Sequence, residues 1–245
     1  MRVGTKLRDV LRSKGGSPAT VRPTALDPER VALRLDFPLY EPRLEATASP
    51  TFSPEYSARR ETRLSDLRAT LNRAVGEKTA LTLEIGCGHG HYLTALAGAQ
   101  PNSQYLGIDI MADRIRRAER KRERAKLSHL HFVRADAIDT LLALPAGVLL
   151  EKILILFPDP WPKRRHHKNR ILQTSFLDQL ADRAMLGATL YFRTDHNDYF
   201  EEARATLQSH PRWKIQENAP WPFELVTVFQ SRADTYQSVV ATMRI

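Results

Sequence analysis

From Leu81 onward the chain alternates between short apolar runs and longer amphipathic stretches, and this alternation constrains the fold more than any other feature. Short apolar runs suit strands buried on both faces, and the helical stretches between them supply the crossovers a parallel sheet requires. The pattern predicts strands at Leu81–Ile85, Gln104–Asp109, Leu130–Arg134, Lys152–Phe157 and Thr189–Arg193. Helices are predicted near His91–Ala99, Ala112–Lys126, Ala137–Leu144, Ile171–Met185 and Tyr199–Gln208. Beyond Trp213, Lys214–Glu217 and Ser238–Ile245 offer two more strands around a Pro-Trp-Pro loop, with the late pair antiparallel. The sum is an α/β fold: a mostly parallel sheet of about seven strands with helices on both faces.

The first third is patterned differently. Gly15-Gly16-Ser17-Pro18 and the Ser49–Pro54 stretch read as loops or linkers, with one short strand expected at Val31–Leu39. Leu64, Leu67, Leu71 and Val75 then recur at helical spacing, with Gly76 as a stop. Residues 1–60 are therefore read as a basic N-terminal extension and residues 61–245 as the main domain. The single cysteine, Cys87, excludes an intrachain disulfide and fits a reducing compartment. No apolar run approaches the roughly 20 residues of a membrane span, and charges interrupt the apolar residues of Met1–Gly16, so neither membrane nor secretory signal is expected. A cytoplasmic location follows as the expectation, with monomer and homodimer both open. The net charge of +9 suits a polyanionic partner or, more simply, solubility.

Glu84-Ile85-Gly86-Cys87-Gly88-His89-Gly90 lies where the first strand meets the first helix. Gly86, Gly88 and Gly90 let the backbone turn tightly and approach a ligand, and the helix start offers free amides. The spacing is not the dinucleotide one, whose third glycine comes later. Glu84 would repel a pyrophosphate but could receive an ammonium group. Asp109, 23 residues after Gly86, ends the second strand, where an acid can accept both ribose hydroxyls. Asp136, just past the third strand, could accept from an adenine amino group. Each acid alone is readily a helix cap or a solvated strand end. Three at successive strand ends favour a cationic, phosphate-free adenosine ligand, and S-adenosylmethionine is the expected cofactor. Cys87 and His89 lack the partners of a metal site or nucleophilic dyad and read as packing or loop residues.

The fourth strand runs into Phe157-Pro158-Asp159-Pro160-Trp161-Pro162-Lys163. Three prolines without amide donors stop regular structure there. What remains is a rigid loop holding one buried-looking acid, one indole and one amine. Five cations and two histidines crowd Lys163–Arg170. The pair His166 and His167 lacks further ligand spacing, so no metal is expected. A second basic run, Arg114–Lys126, has eight cations against two acids. It reads as an amphipathic helix whose outer face is solvated or touches RNA.

Together the glycine turn, the Pro-rich run with its Arg-His-His-Lys-Asn-Arg tail, and Thr194-Asp195 resemble the bacterial tRNA (guanine-N7-)-methyltransferase family. The likeness covers about Leu81 to Tyr199 and, more loosely, the tail to Ile245. It implies a class I methyltransferase (Rossmann-like) fold and methylation of a guanine N7 in the tRNA variable loop. Cofactor positions fall on Glu84, Asp109 and Asp136, with Asp159 closing the site, and tRNA-contacting positions fall on Lys163 and Asp195. The family's T-x-x-E element falls on Thr227–Gln230, where Gln230 replaces Glu, and a glycine usual after it is absent. Those departures leave open another RNA position or a catalytically weakened tRNA-binding member.

Guanine N7 has a free lone pair, so the chemistry asks for alignment and not for a general base. Asp159 is the expected catalytic residue, orienting the guanine by accepting from its N1–H and N2–H₂ edge, with Asp195 as a second candidate. Trp161 either stacks on a base or anchors the loop. Lys163, Arg164, Arg165, Lys168 and Arg170 are expected on RNA phosphates.

Overall fold

The structure, a computed structural model, describes residues 54–76, 80–225 and 235–244. The expected strand at Val31–Leu39 lies outside them, as do Thr227 and Gln230. In chain order the elements are helix α1 (Pro54–Val75), β1 (Ala80–Ile85), α2 (His91–Ala99), β2 (Tyr105–Asp109) and α3 (Ala112–Ala125). Next come β3 (Leu130–Arg134), α4 (Ala137–Ala143), β4 (Leu149–Leu156), a 3₁₀ helix (Arg164–Asn169) and α5 (Thr174–Arg183). β5 (Ala184–Thr194), α6 (Asn197–Ser209), β6 (Trp213–Ile215) and β7 (Gln237–Met243) follow.

The seven strands form one sheet in the order β3-β2-β1-β4-β5-β7-β6. β1 to β5 are mutually parallel, and β7 runs antiparallel to both β5 and β6. Side chains divide between the two faces with the strand period of two. Ile153, Ile155, Leu190, Phe192, Val239 and Ala241 join the core under α1, α4, α5 and α6, whereas Leu154, Tyr191 and Val240 join the core under α2 and α3.

The clearest differences from the expected boundaries lie at β4, β5 and α5. β4 begins at Leu149, so Glu151 and Lys152 are in the sheet despite their charge. β5 reaches back to Ala184, which pairs with Leu150, while Thr189 pairs with Lys152; the residues between form a bulge carrying exposed Leu186. Met185, expected at a helix end, is thus strand. Helix α5 starts at Thr174, because Arg164–Asn169 coil into a separate 3₁₀ turn.

The α2/α3 face is covered unevenly. Where the helices end, the stretch from Ala219 to Leu225 lies over the sheet as an irregular strap. Tyr92 Oη donates to the Phe223 carbonyl (2.9 Å) and Gln100 Nε2 to the Pro222 carbonyl (3.2 Å). Trp221 meets Tyr191 edge-to-face at 5.4 Å, and the Arg193 guanidinium stacks over its ring at 3.8 Å.

Candidate active site

Strand order reverses between β1 and its neighbour β4: the chain runs outward from β1 through β2 to β3 on one side and from β4 to β5 on the other. Ligands of open α/β sheets bind at such a switch, beyond the strand C-termini. The glycine turn follows β1 and the Pro-rich loop follows β4, and Ile85 pairs directly with Ile155. The two motifs, more than 60 residues apart in sequence, therefore flank one crevice. Glu84, Asp109, Asp136, Asp159 and Asp195 all lie at or just beyond the C-terminal ends of β1 to β5.

In the glycine turn, Gly86, Gly88 and Gly90 all have positive φ. The amides of Gly86 and Cys87 both donate to the Ile108 carbonyl at 2.9 Å, tying the turn to β2. Gly90 is set by packing as well as by its φ of 67°: a Cβ there would stand 2.5 Å from Phe132 Cζ and 2.8 Å from Ala118 Cβ. At Gly86 and Gly88 a Cβ would meet nothing within 4 Å, so the turn presents open backbone to the crevice. Cys87 is buried in the adjoining core, and burial pushes its thiol well above the ordinary range.

Glu84 is 4% exposed and points to the α2 face of the sheet. It accepts from the Leu93 amide in the first turn of α2, while its Oε2 is buried with no hydrogen-bond partner. Burial raises its pKa to about 8, against which the Leu93 amide acts only partly. A buried carboxylate oxygen without a donor is costly, and a ligand ammonium would satisfy it.

Asp109 is equally buried but already engaged. Its Oδ2 accepts from Gly88 N (3.1 Å) and lies 3.3 Å from Arg114, and its Oδ1 accepts from Met111 N (2.8 Å). With about two lone pairs per oxygen, one position on Oδ1 remains. Accepting both ribose hydroxyls, as the sequence reading has it, requires the half-exposed Arg114 to move aside. Asp136 is exposed and caps α4, its Oδ1 accepting from Ile138 N (2.9 Å) and Asp139 N (3.3 Å), which leaves Oδ2 outward.

The Pro-rich loop corrects one expectation: Asp159 is exposed, not buried. The chain turns at Phe157 (φ 49°) and again at Trp161 (φ 45°), both left-handed conformations that cost an aromatic residue of order 1–3 kcal/mol each. Each turn has a support. Phe157 N donates to the Arg193 carbonyl (2.7 Å), and its ring meets Tyr236 at 6.2 Å. Trp161 packs edge-on against His166 at 5.9 Å, and its amide makes a long 3.4 Å bond to Asp159 Oδ1. The prolines push Asp159 outward between these two turns, at the mouth of the crevice.

Arg170 is the second correction. The sequence places it among the phosphate contacts, yet it is 2% exposed. Its Nε donates to the Pro160 carbonyl (2.9 Å), Nη1 pairs with Glu202, and the guanidinium lies over the Tyr199 ring at 4.9 Å. Tyr199 Oη in turn accepts from the Ile171 amide (3.1 Å). Arg170 faces inward because the Pro160 carbonyl, left without a partner by the prolines, needs a donor; it holds the loop from beneath. Lys163, Arg164, Arg165 and Lys168 are exposed, as is Asp195 one residue past β5.

Three residues escaped the sequence reading. Ile110, Met111 and Ile138 are 64%, 50% and 42% exposed apolar side chains next to Asp109 and Asp136 in sequence. Their signal is an apolar residue one or two positions after Asp109 and Asp136, which periodicity assigns to packing. Among the described residues no group of three or more His, Cys, Asp or Glu could hold a metal, and no helix is long and apolar enough to cross a membrane.

A family model described as "Putative methyltransferase" matches residues 78–240. Proteins named tRNA (guanine-N(7)-)-methyltransferase are similar to this chain. That of Halorhodospira halophila is 38% identical over 144 residues, covering 59% of this chain and 62% of that protein. That of Treponema pallidum is 38% identical over 157 residues, covering 63% and 62%. That of Nitrosospira multiformis is 31% identical over 164 residues, covering 67% and 70%. The chain thus spans 62% of the length of the first two relatives. Among solved structures, the aminoglycoside resistance methyltransferase NpmB1 matches with a TM-score of 0.50 at 16% identity, over 72% of this chain and 93% of that one. NSun6 from Pyrococcus horikoshii matches at 0.50 and 19%, over 74% and 51%. These likenesses support the class I, Rossmann-like fold, and the chain belongs to the bacterial tRNA (guanine-N7-)-methyltransferase family.

Proposed function

We propose that this chain transfers a methyl group from S-adenosylmethionine to N7 of a guanine in the variable loop of tRNA. The observation that carries the reading is Glu84: a buried, unpartnered carboxylate oxygen beneath an open glycine turn suits a ligand with an ammonium group and no phosphate. In this reading Glu84 receives the ammonium, Gly86, Gly88 and Gly90 admit the ligand against backbone, and Oδ1 of Asp109 accepts from the ribose. The outward Oδ2 of Asp136 meets the adenine amino group, and Ile110, Met111 and Ile138 supply apolar contact to the base. The bound cofactor supplies an electrophilic methyl group.

The acceptor half lies across the switch. Guanine N7 needs no base, so the residues there position and do not abstract. Asp159 accepts from the N1–H and N2–H₂ edge, which adenine does not offer, and Asp195 stands one strand over in the same role. Lys163, Arg164, Arg165 and Lys168 neutralise phosphates. Incubation with S-adenosylmethionine and unfractionated tRNA, followed by nucleoside mapping, should yield 7-methylguanosine. Another methylated nucleoside, or none, would sink the proposal.

A further inference from the structure

The glycine turn has a second, outward-facing neighbour. His89 and His91 stand exposed on either side of Gly90, and α3 faces them with Arg117, Arg120, Lys121 and Arg124; these six side chains line one open cleft. No carboxylate lines it. The acids of α3 are directed elsewhere. Glu119 accepts from the Phe132 amide and pairs with Arg122, Asp113 pairs with Arg116 and Arg117, and Glu123 lies nearest Arg122 at 3.8 Å.

Arg120, Lys121 and Arg124 thus have no acidic partner among the described residues. Lys121 instead donates to the His89 carbonyl (2.8 Å) and sits 3.4 Å from His91 Nε2. Partial burial and then Arg124 hold Lys121 below the ordinary lysine range, and partial burial, Lys121 and His89 do the same to His91. Cations packed at one-turn spacing without acids repel one another, and an anion in the cleft would relieve that repulsion.

The spacing selects the kind of anion. At 1.5 Å rise per residue, Arg117 to Arg124 span about 10 Å. A row of cations of that length matches a nucleic-acid strand, which carries a phosphate about every 3.4 Å of its axis, better than it matches a single phosphate. We propose that the cleft between His89, His91 and the outer face of α3 is a second track for the RNA phosphate backbone, separate from the Lys163–Lys168 run. The two basic surfaces flank the switch crevice from its β1–β3 side and its β4 side, so one RNA can straddle the site. The inference rests on the RNA-methylating reading above.

The test compares two charge-matched double variants: Arg120→Gln with Arg124→Gln in the cleft, and Arg204→Gln with Lys214→Gln beside β6 at the opposite edge of the sheet. Binding of unfractionated tRNA is measured by fluorescence anisotropy across a potassium chloride series, with melting temperature and S-adenosylmethionine titration as checks on fold and cofactor site. The cleft variant should flatten the slope of log affinity against log salt by about 1.4–1.8, lower low-salt affinity about tenfold, and leave the checks unchanged. The β6 variant should follow the wild type. Equal losses in both variants, or a wild-type slope in the cleft variant, would overturn the cleft while leaving the proposed activity standing. A wild-type chain that binds no tRNA would overturn both.

Discussion

The two ends of the switch crevice are built on opposite plans. At the glycine turn the acids face inward, with Glu84 and Asp109 each only 4% exposed, and the backbone is held by bonds to Ile108 and by Phe132 packed against Gly90. At the Pro-rich loop the acids Asp159 and Asp195 are exposed, and the buried polar group is the anchor, Arg170. One end keeps its acids in the interior, with one oxygen of Glu84 still without a partner. The other is a rigid, outward-facing rim suited to a large partner that brings its own surface. Cofactor selectivity should therefore depend on the interior of the domain, and acceptor selectivity on a few exposed side chains.

The largest effect should come from the rim. Asp159→Ala is expected to lower kcat/KM for methyl transfer at least about 100-fold, equivalent to roughly 2.7 kcal/mol, with no change in melting temperature. Near-normal turnover would remove Asp159 from the base-orienting role. At the other end, Gly90→Ala should destabilise by about 2–4 kcal/mol, combining left-handed strain with overpacking against Phe132. Gly88→Ala, where a Cβ meets open space, should cost only about 1–2 kcal/mol of conformational strain. Denaturant melts giving equal losses would contradict the packing assigned to Gly90.

Arg170→Ala should cost about 2–3 kcal/mol, less than breaking a fully buried pair because Glu202 keeps 35% of its side-chain exposure. It should lower kcat more than it raises KM for tRNA, as expected of a loop anchor; a pure KM effect would return it to the phosphate contacts. Glu84 makes a pH prediction. Its folded pKa of about 8 lies above the ordinary 4.5, so the folded state holds the extra proton between those values. That stabilising contribution is fully present below about pH 4.5 and is lost as pH rises through about 8. In the cofactor-free protein Glu84→Gln should flatten the fall of stability between these limits, while weakening S-adenosylmethionine binding. Cofactor binding at neutral pH should also release a proton, detectable by calorimetry in buffers of different ionisation enthalpy. The smallest effect is that of Lys163→Ala, a few-fold loss of tRNA affinity with the salt slope reduced by about 0.7–0.9. A wild-type slope would detach Lys163 from phosphate.

The order of strands and helices from Leu81 to Gln208 was legible because each β–α unit carries its own periodicity. The strand-end acids were legible because each lies within three residues of the end of a strand, and position at a strand end follows from chain order alone. Orientation was not. Nothing local distinguishes Arg170 from Lys168, two residues earlier in the same basic run, yet one is buried and the other exposed. The difference arises from Glu202 and Tyr199, about 30 residues further along the chain, which form a slot for a guanidinium below Pro160. The same holds for Asp109, whose remaining acceptor capacity depends on where Arg114 and the Gly88 amide come to lie.

By itself, then, the sequence determined the alternating α/β plan, the glycine turn and Pro-rich loop, and the family to which they belong. These rest on local periodicity and on prolines and glycines that act where they stand. The tertiary structure alone decided that the two motifs meet, since only the reversal of strand order sets β1 beside β4. It also decided which charges point into the crevice, which lie buried beneath it, and which gather between α2 and α3. A charge finds its partner through space, and the spacing of residues along the chain does not say which partner that will be.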